Sequence, residues 1–210
     1  MSKFIFRNIP NLVVLFRVIL IFIVIFLFSI ESLISRIFGL GLLVIAALAD
    51  WLDGFLARKL KLSSPVGAML DTLGDRITEN LLLIFFAYKQ LVPLFVPLIF
   101  IARSLVSDFI RCLCYHQNIE TFSIQKSKLG IIFVASRFSR VLYLLIKIFI
   151  FFLGGIILAV ETMLQNLDTL LLNLKLVIIY GSVILVFFNL LRFVLLIYDS
   201  RNILKEIFTK

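Results

Sequence analysis

Apolar residues run through this chain in long blocks, and polar residues either separate the blocks or recur inside them at helical spacing. Six blocks approach the ~20 residues a helix needs to cross a bilayer core. They lie near Leu12–Phe28, Phe38–Ala57, Met69–Tyr88, Val92–Leu113, Leu129–Leu153 and Leu176–Ile197. The pattern predicts an all-α polytopic membrane protein with six transmembrane helices. Between the second and third blocks, KLKLSSPVG carries Ser63, Ser64 and Pro65, which suit a helix break and restart. Ahead of Pro10, KFIFRNI mixes apolar and basic residues and is expected to form a short interfacial helix. The first block continues to about Ile30 without a small-residue cleavage site, so it is expected to be a retained span rather than a signal peptide. No internal repeat is evident, which weakens an inverted-repeat transporter reading. Residues 1–210 are expected to form a single membrane domain.

Composition agrees. The 210 residues are 62% hydrophobic and 16% charged, with a mean hydropathy of +1.16, outside the range of soluble domains. The net charge of +9 does not indicate nucleic acid, because no solvated basic face with interleaved aromatics accompanies it. Its distribution instead orients the chain. Lys3, Arg7, Arg58, Lys59, Lys61, Arg111, Lys126, Lys128, Arg201, Lys205 and Lys210 fall on the side shared by the termini, against Arg36, Lys89 and Lys175 opposite. Both termini are therefore expected in the cytoplasm. Cys112 and Cys114 lack the further ligands a closed zinc site needs and read as packing residues at a reduced helix end. His116, the lone histidine, reads as an interfacial side chain.

Four acids stand out against this background. Asp50, Asp53, Asp71 and Asp75 lie in ADWLDGFLARKLKLSSPVGAMLDTLGD. The first two are i, i+3 on one helix and the second two i, i+4 on the next, so a tight polar turn would bring the pairs together. At mid-bilayer each would cost about 2.5–3.5 kcal/mol. Placement near the cytoplasmic ends of their spans lowers that cost, and Arg58 and Arg76 are available as counter-charges. Four clustered carboxylates still repel, and a divalent cation removes the repulsion. An all-oxygen set without His or Cys favours Mg²⁺ or Mn²⁺, with room for two ions suited to phosphoryl displacement. Gly54 and Gly67 allow close approach of a ligand, although they also suit close helix packing; Ala57 follows Gly54 by about a turn, and Arg58 can fork onto a phosphate.

Together, Asp50, Asp53, Gly54, Ala57, Arg58, Gly67, Asp71 and Asp75 read D-x2-D-G-x2-A-R-x8-G-x3-D-x3-D. The run resembles the signature of the CDP-alcohol phosphotransferases at every fixed position. Such a match arises by chance on the order of 10⁻¹⁰ per start position. The resemblance covers the whole chain and implies that the four aspartates ligate two metals. It further implies that Asp75 is the catalytic base, that Asn11, Gly54, Ala57, Arg58 and Gly67 shape the CDP site, and that the protein is a homodimer. The implied reaction moves a phosphatidyl group from CDP-diacylglycerol to a hydroxyl acceptor and releases CMP.

For the acceptor, Arg103, Arg111, Lys126 and Lys128 are candidates for a basic pocket that binds a phosphorylated alcohol. Arg103 also has a structural reading, pairing with Asp108 or Glu79. The opening NIPNLVVLFR resembles the N-x-P-N-x2-T-x2-R start of phosphatidylglycerophosphate synthases through Asn8, Pro10, Asn11 and Arg17, with Val14 in place of threonine. IAR at Ile101–Arg103 and KSK at Lys126–Lys128 resemble them too, with Leu129 where threonine is common and Arg76 where lysine is common. GAMLDTLGDR also resembles inositol-lipid synthases. Glycerol 3-phosphate is the favoured acceptor, inositol phosphate or another alcohol the alternative, and a bacterial inner membrane the expected location. Arg137, Arg140 and Lys147 form one stripe that either lines the acceptor cavity or pairs with acids, while Arg192 is expected to snorkel or pair. Glu161 and Asp168 are expected in a solvated outer loop. A cation carrier would spread its acids through the bilayer depth, and a catalytically dead scaffold would not need four of them.

Overall fold

The computed structural model describes residues 9–59, 65–116, 127–163 and 168–208, and every regular element among them is helical. Helix α1 is Ile9–Ser29, α2 is Leu33–Lys59, α3 is Pro65–Tyr88 and α4 is Phe95–His116. A single turn, α5 (Lys128–Gly130), runs into a π-helical turn at Ile131–Ala135, followed by α6 (Arg137–Met163) and α7 (Asp168–Phe208). The N-terminal segment expected to lie in the interface and the KLKLSS turn fall outside the described residues. The chain divides into two compact units, Met1–Leu91 with Phe151–Leu176, and Val92–Ile150 with Val177–Lys210.

In the first unit α1 packs against α2 and α3. Its buried residues are Val14, Arg17, Leu20, Ile21, Val24 and Phe28, a stripe at the three- and four-residue spacing of a packed helix. The opposite face exposes Leu12, Leu15, Phe16, Ile19, Phe22 and Phe26. An outer face of this composition suits lipid. Between lipid-embedded helices apolar burial gives no net drive, so close packing must hold them together. Gly154 and Gly155 of α6 supply it. A Cβ on Gly154 would fall 2.6 Å from Phe86 Cζ, and one on Gly155 2.8 Å from Phe28 Cζ. Phe28 stacks on Phe85 at 6.3 Å between centroids, and Phe86 tilts against Phe151 at 6.3 Å.

Four charges expected in outer loops are built into helices of this unit. Arg36 in α2 is buried and donates hydrogen bonds to the carbonyls of Ile30 and Leu158. Glu161 lies within α6 and pairs with Lys175 of α7 at 2.6 Å, while Asp168 opens α7. The ion pair lets both helices keep charge at their ends, so the solvated loop predicted around Glu161 is shorter than expected. Helix α3 stops through a backbone reversal. Gln90 adopts φ 57°, its N–H bonds Ala87 O, and Leu91 N–H bonds Phe86 O. This left-handed helix ending is usually made by glycine.

In the second unit α4 buries Val96, Phe100, Arg103, Ser104, Ser107 and Ile110. The Ser104 hydroxyl donates to Ile101 O and that of Ser107 to Arg103 O, so both are satisfied on their own helix. The expected span Leu129–Leu153 is interrupted. Ser136 is extended at φ −64°, ψ 143°, and its hydroxyl accepts the Ser139 N–H at 3.1 Å, capping a helix that begins at Arg137. Helix α7 buries Ile178, Ser182, Leu185, Asn189, Leu196 and Ser200.

Among the described residues three helices are long and apolar enough to cross a membrane: α1 over Leu12–Ser29, α6 over Phe138–Met163 and α7 over Thr169–Arg201. The apolar part of α2, Leu33–Ala49, is shorter, because acids begin at Asp50.

Candidate active site

Asp71 and Asp75 sit one turn apart on α3, both about half exposed. Facing them is Arg17 of α1, whose side chain is only 3% exposed. Its Nη1 lies 3.1 Å from Asp75 Oδ1 and its Nη2 3.7 Å from Asp71 Oδ1. One guanidinium thus spans both carboxylates. Its planar fork suits that bridging better than lysine would.

Gly74 makes the approach possible. A Cβ there would lie 2.6 Å from Val14 Cγ1 and 2.9 Å from Arg17 Nη2. The helix surface between the two aspartates is therefore cut away where the guanidinium enters. Neither feature was read from the sequence as part of the site. Arg17 entered only through the N-terminal resemblance, and Gly74 falls in the unspecified spacer between Asp71 and Asp75. The available signal was the lone charge in the apolar block of α1.

Arg76, expected to offset the aspartates, pairs with the buried Glu79 at 3.0 Å. Arg17 is a counter-charge to Asp71 and Asp75 beyond those expected from the sequence. Glu79, one of the acids considered for Arg103, is engaged by Arg76 on its own helix.

Gly67 is half-buried in the first turn of α3. Asp50, Asp53, Gly54, Ala57 and Arg58 follow one another along the C-terminal part of α2, and Asn11 lies in α1. The side chains at these α2 and α1 positions lie outside the described residues. Among the described residues no three acidic, Cys or His side chains converge, so the described part of the quartet is the Asp71–Asp75 pair. Its chemistry fits a hard divalent cation. The donors are carboxylate oxygens, they are accessible, and their arrangement already accommodates a positive group. In the second unit Arg103 is buried on α4. Arg111 lies further along α4 and Lys128 opens α5, both with side chains outside the described residues; Lys126 lies outside them altogether.

The family described as CDP-alcohol phosphatidyltransferase matches residues 7–200. The chain belongs to the CDP-alcohol phosphatidyltransferase family. Its apolar helices and this membership make it an integral membrane protein. Among similar proteins, the CDP-diacylglycerol–glycerol-3-phosphate 3-phosphatidyltransferase of Rickettsia bellii is 30% identical over 147 residues, 66% of this chain and 81% of that relative. The protein of the same name from Rickettsia typhi is 30% identical over 148 residues, 66% of this chain and 83% of that relative. One from Pseudomonas fluorescens is 40% identical over 83 residues, which span 40% of this chain and 43% of that relative. In this CDP-alcohol phosphatidyltransferase the run from Asp50 to Asp75 begins on α2 and ends on α3, the two helices that α1 packs against.

Proposed function

We propose that this protein transfers a phosphatidyl group from CDP-diacylglycerol to glycerol 3-phosphate, giving phosphatidylglycerophosphate and CMP. The observation that carries the proposal is the accessible Asp71–Asp75 pair, bridged by Arg17, within a chain matched by the family over residues 7–200. The acceptor follows from the names of relatives that align over 66% of this chain.

In this reading Asp75 accepts the proton of the acceptor hydroxyl. The hydroxyl oxygen attacks the phosphorus that bears diacylglycerol, the bond to the bridging oxygen of the pyrophosphate breaks, and CMP departs. Asp50, Asp53, Asp71 and Asp75 would hold two Mg²⁺ or Mn²⁺ ions, which when bound supply neutralisation of the pyrophosphate charge. Arg17 restrains Asp71 and Asp75 on α3, so the base meets the acceptor without first reorienting. Asn11, Gly54, Ala57, Arg58 and Gly67 shape the CDP site. Arg103, Arg111, Lys126 and Lys128 bind the acceptor phosphate through charge-assisted hydrogen bonds.

The remaining features belong to the same reading. Helices α1, α2, α3, α4, α6 and α7 are the six spans; even the shortest, α1, has 21 residues, long enough for a hydrocarbon core. Both termini and the active site face the cytoplasm, a bacterial inner membrane is the location, and the protein works as a homodimer.

The test is CMP release by purified protein in liposomes with CDP-diacylglycerol and Mg²⁺ or Mn²⁺. Glycerol 3-phosphate, inositol phosphate, free inositol, serine and phosphatidylglycerol are offered separately. Metal-dependent release with glycerol 3-phosphate is expected. Release with a different acceptor alone overturns the acceptor assignment, and no release from folded protein overturns the reaction.

A further inference from the structure

The segment Ser127–Ala135 of the second unit is gripped by α7 in two places. At its start, the Ser127 N–H donates to Asp199 Oδ1 at 3.2 Å and the Ser127 hydroxyl donates to Asp199 Oδ2 at 3.0 Å. At its end, Arg192 extends Nη2 to Val134 O at 3.5 Å and lies over the Tyr143 ring at 5.1 Å. Asp199 and Arg192 are two turns apart on α7, which separates the anchor points by roughly 10 Å.

Ser127 is the residue between Lys126 and Lys128. Its hydroxyl also accepts the Gly130 N–H at 2.9 Å, capping the single turn Lys128–Gly130. A lone turn is unfavourable by itself, because it fixes several dihedrals for one hydrogen bond. The cap and the carboxylate behind it offset that cost. Both oxygens of one acid are thus spent on the backbone and side chain of one serine, although neither Ser127 nor Asp199 is among the residues expected to touch substrate.

We infer that Asp199, acting through Ser127, is a positioning residue that fixes the backbone from which the Lys128 side chain grows, for a phosphorylated acceptor. The inference rests on the reading of Lys128 as an acceptor-phosphate ligand. Lysine carries its charge on a long flexible stem, so the backbone from which it grows largely decides where the ammonium can reach. With the clamp removed, Lys128 still carries its charge but searches a wider volume, and acceptor binding weakens. The chemical step and donor binding do not use the clamp.

The experiment is steady-state CMP release by the full chain in liposomes, varying glycerol 3-phosphate and CDP-diacylglycerol separately. Ser127→Ala is expected to raise the acceptor KM roughly tenfold, with kcat and the donor KM within about twofold. Asp199→Asn, which can restore only one of the two bonds, should shift the acceptor KM in the same direction. Ser127→Thr, which keeps the hydroxyl, should return it to near the original value. Unchanged acceptor KM in Ser127→Ala overturns the inference, as does a parallel loss of kcat and donor binding, the mark of a general structural role. An unchanged KM in the Lys126→Ala, Lys128→Ala double variant, beside a raised KM in Ser127→Ala, also overturns it. If the original protein uses another phosphorylated alcohol, the glycerol 3-phosphate assignment fails and the same KM comparison on that alcohol still decides the clamp. Use of an unphosphorylated acceptor alone overturns both.

Discussion

Arg17 in the first unit and Arg192 in the second each stand alone in a long apolar run of their helix, and each is met differently. Arg17 is nearly sealed and spans two carboxylates. Arg192 is half-buried, lies over a tyrosine ring and extends to a backbone carbonyl. A carboxylate cancels charge; a ring or a carbonyl stabilises a cation without cancelling it. The first arrangement suits acids that must stay organised yet accept a cation.

The largest effect should come from the acids themselves. Asp75→Asn keeps the shape of the side chain but removes the proton acceptor. CMP release should fall by roughly 10³-fold while the variant still inserts and elutes as folded protein. Activity close to that of the original chain would remove Asp75 as the base.

Next in size is the contrast between the two arginines. Arg17→Met leaves two carboxylates without their shared cation. Because both acids are half exposed, water repays part of the loss, and the expected cost is about 2 kcal/mol. That corresponds to roughly 4–8 °C in melting temperature without added metal. Arg192→Met should cost less, about 1 kcal/mol or below. Equal melting temperatures for the two variants would erase the distinction drawn between the units.

A smaller, opposite effect is expected at Asn189. It is fully buried on α7, and neither amide atom has a hydrogen-bond partner among the described residues. Asn189→Leu removes the uncompensated polar group at similar volume and should stabilise by about 1 kcal/mol, read as a rise in melting temperature. A fall would mean that the amide is satisfied by something beyond these side chains. Smallest of all, Glu161→Gln removes a partly exposed ion pair with Lys175 and should change stability by under about 1 kcal/mol. Adding salt should shrink the difference from the original chain.

Parts of this organisation were open to inspection in the residue order because their signals are local. Asp50, Asp53, Asp71 and Asp75 occupy one contiguous stretch at helical spacing, and the family match contains all four. Apolar blocks foretold helices throughout. Pairing was less accessible because it is non-local: Arg76 is next to Asp75 in sequence, yet the guanidinium that reaches Asp75 belongs to a helix more than a span earlier. The stop at Ser136 was hidden for a different reason. Arg137, Ser139 and Arg140 follow it among apolar residues at spacings a continuous helix would also give, so periodicity alone cannot separate a helix that passes through from one that ends and is recapped. Glu161 read as solvated because nothing near it in sequence announces Lys175.

Arg17 has a consequence for the order of assembly. During synthesis α1 emerges before α3 and carries a charge that costs about 2.5–3.5 kcal/mol at mid-bilayer on insertion scales. The carboxylates that face it follow about 55 residues later, roughly 3–11 s at ordinary elongation rates. Until then the newborn helix must keep its guanidinium near the headgroups or in the insertion machinery. Arrival of α3 gives that charge its partners, and the groove at Gly74 lets the two helices close over it.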